Sequence, residues 1–131
     1  MDGFQHEKLD VYNRSIELLA RAEAVCRALP KGRAYLADQL RRAALSITLN
    51  VAEGAGEFAA ADKARFYRMA RRSATECAAI LDSCRVLALV QPAQIAEGRA
   101  SLIRIVAMLT AMVVKLSGSD SDSGSGSFQR M

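Results

Sequence analysis

Tryptophan is absent from the sequence, and aromatic residues make up only 5% of it. Alanine and leucine dominate an apolar content of 51%. Small and unbranched apolar side chains favour helices that pack closely against one another. Helix breakers are also scarce, with two prolines and eight glycines in 131 residues. The chain is therefore expected to form one domain of long helices.

Histidine occurs once, as His6 near the N-terminus, and this excludes several kinds of site. An ordinary zinc site cannot be assembled from one histidine and the widely spaced Cys26, Cys77 and Cys84. The Glu-x-x-His motif of di-iron bundles is missing, as are phosphate-binding loops and a base to activate a cysteine. We expect no enzyme, no metal and no cofactor.

The three cysteines lie within apolar helical patterns, which indicates buried, reduced thiols and no disulfide framework. The first twenty residues carry charges throughout and lack the apolar core of a signal peptide. In the most apolar part of the chain, Arg104 precedes an uncharged run over 105–114 that is too short to cross a bilayer. These features predict a cytoplasmic protein without membrane contact.

Apolar residues recur at intervals of three and four along most of the chain. This spacing predicts four helices, at about residues 7–29, 33–53, 60–89 and 92–117, with Gly54 and Gly56 expected to stop the second helix and form the following turn. Short connections favour an antiparallel, up-and-down four-helix bundle over residues 1–117. Residues 118–131 are mostly Gly, Ser and Asp, so a disordered tail is expected there.

The third and fourth predicted helices carry distinct apolar patterns. A strict heptad spacing in the third helix predicts that its core-facing line is Phe66, Ala70, Ser73, Cys77, Ile80, Cys84 and Leu87. The fourth helix is apolar nearly all round, and one edge of a single bundle cannot bury all of that surface. We therefore expect it to contact another copy of the protein, with candidate interface residues Ile103, Val106, Met108, Val113 and Val114.

A polar stripe runs along the second helix through Gln39, Arg42, Ser46, Asn50 and Glu53. In an antiparallel hairpin, the numbers of facing residues on the second and third helices should sum to about 118. The stripe then meets complementary partners and would fix the register of the two helices, although a ligand or partner site is the alternative. The expected set of these interhelical polar contacts is Arg42, Ser46, Asn50, Glu53, Arg65, Ser73 and Glu76.

Basic residues form a second surface pattern, in a chain of formal net charge +4. Arginines cluster at the start of the third helix, and further cations lie at the corner between the first two helices. Such groups can bind phosphates, although a charged run is more often a solvated face. The candidate residues for nucleic-acid binding are Arg65, Arg68, Arg71, Arg72, Arg27, Lys31 and Arg33.

Three stretches of the sequence resemble one known family. They are KLDVYNRSIELL, LPKGRAYLADQLRRAALSITLNVAEGAG and ARFYRMARRSATECAAILD, and the similarity covers about residues 4–116. Its most specific part is the RRAxxSIxxNxAEG pattern over 41–54. The chain resembles the proteins encoded in intervening sequences of bacterial 23S ribosomal RNA genes. One departure is Arg72, where the family usually has glycine before the serine of the third helix.

The resemblance implies an antiparallel bundle that assembles as a ring-like homopentamer and has no established enzymatic activity. A more distant similarity is to the accessory proteins of diversity-generating retroelements, which are basic pentamers that bind a reverse transcriptase and nucleic acid. We therefore expect a homo-oligomeric binding or scaffolding protein that contacts RNA or an RNA-associated protein. The alternative is a purely structural oligomer or a protein adaptor without a nucleic-acid role.

Overall fold

A computed structural model describes residues 3–121 of the chain, and describes side chains through Gly118. A short 3-10 helix at Gln5–Lys8 precedes four α-helices, and the described residues contain no strand. The prediction of an all-α four-helix bundle is confirmed. The helices are α1 at Asp10–Ala28, α2 at Ala34–Gly56, α3 at Ala60–Val86 and α4 at Pro92–Ser121.

Each helix packs against its neighbours in the chain, and α4 closes the bundle by packing against α1. Among the described residues, no α-carbons of α1 and α3 lie within 8 Å of each other, and neither do those of α2 and α4. The helices therefore occupy the corners of a square, with α2 and α4 on one diagonal. Because successive helices alternate in direction, α2 and α4 run the same way.

The helix ends differ from the predicted bounds in places with local causes. The first predicted helix is divided at Leu9, which has extended backbone angles, φ −87 and ψ 129. The 3-10 helix before it is capped by Glu7, whose carboxylate accepts a hydrogen bond of 3.0 Å from the Phe4 amide. At the other end, α4 continues to Ser121, four residues beyond its expected end, and the rest of the predicted tail lies outside the described residues.

Gly54 and Gly56 do not form a turn, so this prediction is wrong. Both lie within α2, and Gly32 is the only described glycine with a positive φ. Gly54 is buried, and a β-carbon there would meet the Tyr67 ring. Gly54 therefore serves the close approach of α2 and α3 rather than chain reversal. The chain turns at 57–59, immediately after α2.

The core-facing line of α3 is also shifted from the predicted one. Ala70, Cys77 and Cys84 are buried as expected, but Leu87 is exposed, and Phe66, Ser73 and Ile80 are only half-buried. Both lines have the same spacing of three and four residues, and the abundant alanines distinguish them poorly. The buried line is Ala64, Tyr67, Ala70, Ala74, Cys77, Leu81 and Cys84.

The fourth helix is long and apolar enough, by length and composition alone, to cross a membrane. The expectation that this segment is too short is therefore not supported. Ile95, Leu102, Ile105 and Leu109 of α4 are buried in the bundle core. Only 22% of the helix's most apolar window is buried, so much of its apolar surface remains uncovered by its own chain.

The three cysteines are free and buried, as the sequence indicates. Burial raises the pKa of each thiol, and that of Cys77 reaches about 12. The Cys26 thiol also donates to the carbonyl oxygen of Ala37 at 3.5 Å. At neutral pH these groups are therefore protonated and act as small apolar side chains.

Candidate surfaces for partners and nucleic acid

Polar contacts between α2 and α3 are concentrated at the middle of the hairpin. The Ser73 hydroxyl donates to the Ser46 hydroxyl at 2.9 Å. Asn50 Nδ2 donates to the carbonyl oxygen of Ser46 at 2.9 Å and lies 3.1 Å from its hydroxyl oxygen. Ser46 and Ser73 therefore face each other within one residue of the register expected from the sequence.

The charged ends of the predicted polar contact set do not pair. Arg42, Glu53, Arg65 and Glu76 are all exposed, and within residues 3–118 neither Arg42 and Glu76 nor Glu53 and Arg65 form an ion pair. The Arg65 guanidinium instead lies over the Phe66 ring, 4.5 Å from its centroid. Long exposed side chains gain little from pairing across a solvated edge, so helical register alone does not join them.

Lys63 provides the polar contact at that end of the hairpin. Its ammonium group donates to the carbonyl oxygens of Gly54 and Ala55 at 3.3 and 3.1 Å. These carbonyls lie in the last turn of α2, where the helix supplies no amide four residues ahead, and the Gly54 carbonyl also accepts from the Glu57 amide at 3.2 Å. A cation is also favourable beside the negative end of the helix dipole. Lys63 therefore caps α2 from α3, which the sequence pattern does not reveal.

A buried polar pair between α1 and α2 was also not predicted from the sequence. The Thr48 hydroxyl donates to the Ser15 hydroxyl at 3.1 Å, and Ser15 donates to the carbonyl oxygen of Tyr12 at 2.7 Å. Ser15 is completely buried, and Thr48 is nearly so. The sequence feature that could have indicated this pair is Ser15, a polar residue on the apolar face of α1. A buried hydroxyl there requires a hydrogen-bond partner.

Three arginines form a continuous basic surface on α3. Arg65, Arg68 and Arg72 are exposed and spaced three and four residues apart, so they share the side of the helix that points away from the core. None of them has an acidic partner among the described residues. We call these three residues the arginine face. Arg72 projects outward, so its bulk does not separate the helices.

Arg71 does not belong to the arginine face. It is half-buried and donates to the Thr110 hydroxyl at 3.2 Å, which joins α3 to α4. Its adjacent position in the sequence suggested a phosphate contact, but the helical rotation of one residue turns it towards α4. Arg71 is therefore part of the bundle's packing.

The remaining basic candidates lie at the other end of the bundle. Arg27 pairs with Glu23 at 3.2 Å, Arg33 donates to the Tyr35 hydroxyl at 2.8 Å, and Lys31 is exposed. Arg33 precedes the first residue of α2, whereas Lys63 caps the last turn of that helix. These ends are separated by roughly 34 Å of helix. The structure does not bring the two basic groups together.

The predicted interface residues on α4 separate into different environments. Ile103 and Val114 are 63% and 65% exposed, whereas Val106 and Met108 are half-buried. Val113 is only 8% exposed and packs in the core of its own bundle, so it does not lie on the outer surface. The exposed apolar surface, which we call the α4 outer face, comprises Ala93, Ala96, Ala100, Ile103, Ala107, Ala111 and Val114.

A second surface with exposed apolar side chains lies on α2, among charged residues, and was not identified from the sequence. Leu45 and Leu49 are 44% and 54% exposed. They lie on the side of α2 that points away from the bundle. The sequence feature that could have indicated this surface is the spacing of three and four residues between the outward positions of α2, although charged residues interrupt the apolar ones. We call this surface the α2 outer face; it comprises Tyr35, Asp38, Arg42, Leu45, Leu49, Glu53 and Gly56.

Within the described residues, no group of three or more His, Cys, Asp or Glu side chains is placed to hold a metal ion. His6 stacks with Phe4 and contacts the Tyr12 ring, with centroids 5.6 and 4.5 Å apart. The most prominent surfaces of the described chain are the basic arginine face, the apolar α4 outer face and the mixed α2 outer face.

Comparison with known proteins agrees with the sequence patterns. Residues 7–111 match the family described as 23S rRNA-intervening sequence protein. No curated protein matches the chain. The matched region extends from the 3-10 helix into α4 and contains both helices of the central hairpin. The chain therefore belongs to the 23S rRNA-intervening sequence protein family.

Proposed function

We propose that this protein is a non-enzymatic, self-associating helical bundle of the cytoplasm that binds RNA through the arginine face of α3. The observation that carries the RNA-binding part is the exposure of Arg65, Arg68 and Arg72 along one side of a rigid helix, without acidic partners among the described residues. Guanidinium groups make paired, charge-assisted hydrogen bonds to phosphate oxygens. A line of three can contact successive phosphates without reading the bases.

Self-association is supported by the α4 outer face. Exposed contiguous apolar surface on a soluble protein marks a contact site, and here it extends over several turns from Ala93 to Val114. Assembly would also repeat the arginine face once in each copy. Weak individual contacts with phosphates then add through multivalency, which compensates for the small number of arginines, three, in each arginine face.

The RNA-binding proposal is tested by fluorescence anisotropy with a labelled single-stranded RNA between 50 and 200 mM salt. The test variant is Arg65→Gln/Arg68→Gln/Arg72→Gln. The control, Arg14→Gln/Arg21→Gln/Arg99→Gln, removes the same charge from α1 and α4, where these arginines lie near Asp10, Glu97 and Asp82. Both sets are on the surface, so circular dichroism should show folded proteins in each case.

We expect the α3 variant to lose at least tenfold in affinity and to reduce the slope of log K against log salt by about two, at roughly 0.7 per phosphate contact on a single strand. The control variant should retain most of the binding. Equal losses in both variants would indicate a general charge effect. Absence of RNA binding by the unmodified protein at 50 mM salt would overturn the proposal in favour of a structural oligomer or protein adaptor.

A further inference from the structure

The α2 and α4 outer faces lie on opposite corners of the bundle, and this arrangement identifies how copies meet. We infer that the α4 outer face of one copy packs against the α2 outer face of the next copy, in a head-to-tail contact. This inference rests on the proposed self-association and adds the surface that receives α4. Because α2 and α4 occupy one diagonal, their outer faces point in opposite directions.

A single type of contact then covers both faces. A symmetric contact between two α4 helices would leave Leu45 and Leu49 in water in every copy. Pairing α2 with α4 instead buries the leucines of one copy and the Ile103 and Val114 side chains of the next. Such a heterologous contact uses both surfaces of each chain and closes into a ring when the rotation between copies permits.

The sizes of the side chains on the two faces are complementary. Ser46 of α2 bonds to Ser73 of α3, and Arg71, two residues before Ser73, bonds to Thr110 of α4, so Thr48 and Thr110 lie at about the same height in the bundle. Since α2 and α4 run in the same direction, Leu45 and Leu49 are level with Ala107 and Ala111. If neighbouring copies share the same height around the assembly axis, large side chains on α2 meet small ones on α4, as close helix packing requires.

Charged residues on and beside the two faces are placed to meet as well. The α2 outer face carries Asp38, Arg42 and Glu53, and the exposed Arg41 borders it. The α4 outer face is itself uncharged, and Glu97, Arg104 and Lys115 border it. In the same alignment, Glu53 is level with Lys115. Arg42 is level with Arg104, and Asp38, one turn from both, offsets this approach of like charges.

The contact has a consequence for the arginine face. If α2 and α4 join neighbouring copies, then α1 and α3, on the other diagonal, remain on the two open sides of the assembly. Arg65, Arg68 and Arg72 would therefore stay accessible in every copy and recur at the same height. The assembly itself would concentrate positive charge along one side without covering it.

Site-specific cross-linking tests which faces meet. Leu49→Cys and Ala111→Cys place thiols on exposed positions of the two faces, while Cys26, Cys77 and Cys84 are buried and should not interfere in folded protein. The two variants are co-expressed with different affinity tags, purified together and oxidised. We expect a disulfide-linked pair that contains both tags, little linkage of either variant alone, and a ladder of covalent oligomers from the double variant.

Assembly can also be tested without cross-linking, by measuring the mass of two further variants. Leu49→Arg should reduce the mass measured by light scattering at least twofold, because a longer, charged side chain replaces the leucine that meets Ala111 in the inferred contact. Ile16→Arg changes a residue on α1 that is 41% exposed and should leave the mass unchanged.

The outcomes separate this inference from the proposed function. A monomeric mass for the unmodified protein would overturn both the self-association and the contact. An assembled protein in which Ala111→Cys links to itself, or in which Leu49→Arg retains the full mass, would overturn only the head-to-tail pairing. RNA binding through α3 is judged independently by its salt dependence.

Discussion

A β-carbon at Gly54 would lie 2.6 Å from Cε1 of Tyr67, and this distance defines how closely α2 and α3 approach. Tyr67 is itself buried, with only 4% of its surface exposed, so its ring has little room to move. We predict that Gly54→Ala destabilises the protein by about 2 kcal/mol, as overpacking of a core commonly does. The change in free energy of unfolding can be measured by urea denaturation.

Gly56 supplies the matched control, because it also lies in α2 and a β-carbon there would meet nothing within 4 Å. Gly56→Ala should be neutral or stabilise the helix by less than about 1 kcal/mol. Equal destabilisation by both alanines would mean that close approach to Tyr67 is not what requires glycine at position 54.

The buried hydroxyls of Ser15 and Thr48 should be energetically coupled. Ser15→Ala leaves the Thr48 hydroxyl buried without its acceptor and should cost about 1 to 3 kcal/mol. Thr48→Val should cost less, because Ser15 keeps its bond to the Tyr12 carbonyl oxygen. The double variant should be less destabilised than the sum of the single variants. Strict additivity in urea denaturation would contradict this coupling.

Ala88 offers a stabilising substitution. It follows α3 with a positive φ of 55°, and the Leu89 and Ala88 amides donate to the carbonyl oxygens of Cys84 and Arg85 at 3.0 Å each. This is the Schellman arrangement, in which glycine is preferred at the left-handed position. Ala88→Gly should therefore stabilise the protein by about 0.5 to 1 kcal/mol, and thermal melting would show a rise of a few degrees.

Ala79→Gly is the control for that substitution, since Ala79 is exposed in the interior of α3. There the same change should destabilise the protein by about 1 kcal/mol. A loss of stability in both variants would show that the backbone at Ala88 is not strained.

Glu23 should make stability depend on acid pH. Hydrogen bonds from Arg41 and Arg27 lower the pKa of its carboxyl group from 4.5 to about 2. Because the folded state favours the ionised form, this stabilisation is complete above pH 4.5 and is lost as the pH falls towards 2. Solvent screening keeps the effect modest, since the group is exposed.

The measurement compares urea denaturation at pH 6 and at pH 3 for the unmodified protein and Glu23→Gln. The variant should lose less stability between these pH values than the unmodified protein does. Glu17→Gln, on the same helix and without an ion pair among the described residues, should follow the unmodified protein. If Glu23→Gln shows the same pH dependence as the unmodified protein, the ion pairs with Arg41 and Arg27 do not contribute to folding.

Local rules identified most of the fold from the sequence. The apolar spacing predicted four helices and their order, and the short connections predicted an antiparallel bundle. The register of α2 and α3 followed as well, since Ser46 meets Ser73 close to the expected offset. Helix ends were harder to predict. Leu9 and Ala88 interrupt the helical backbone with angles that their side chains do not encode.

The surfaces were only partly predictable. Arg65, Arg68 and Arg72 share an exposed side because rotation by 100° per residue follows from helical geometry alone. The same geometry cannot say that Arg71 reaches Thr110, since this requires the position of α4. Val113 was predicted to lie in an interface between copies, but it is buried in its own bundle. A helix that is apolar nearly all round does not reveal from sequence which side its own bundle covers.

The sequence by itself determined the class of fold, the family and the basic and apolar composition of the helices, because these depend on periodicity and on residues close together in the chain. Tertiary structure alone decided that Gly54 serves helix approach rather than a turn, and that Lys63 caps α2. It also decided that the α2 and α4 outer faces lie on opposite corners. The physical reason is that burial and pairing depend on neighbours distant in sequence, whose positions are set by how whole helices pack.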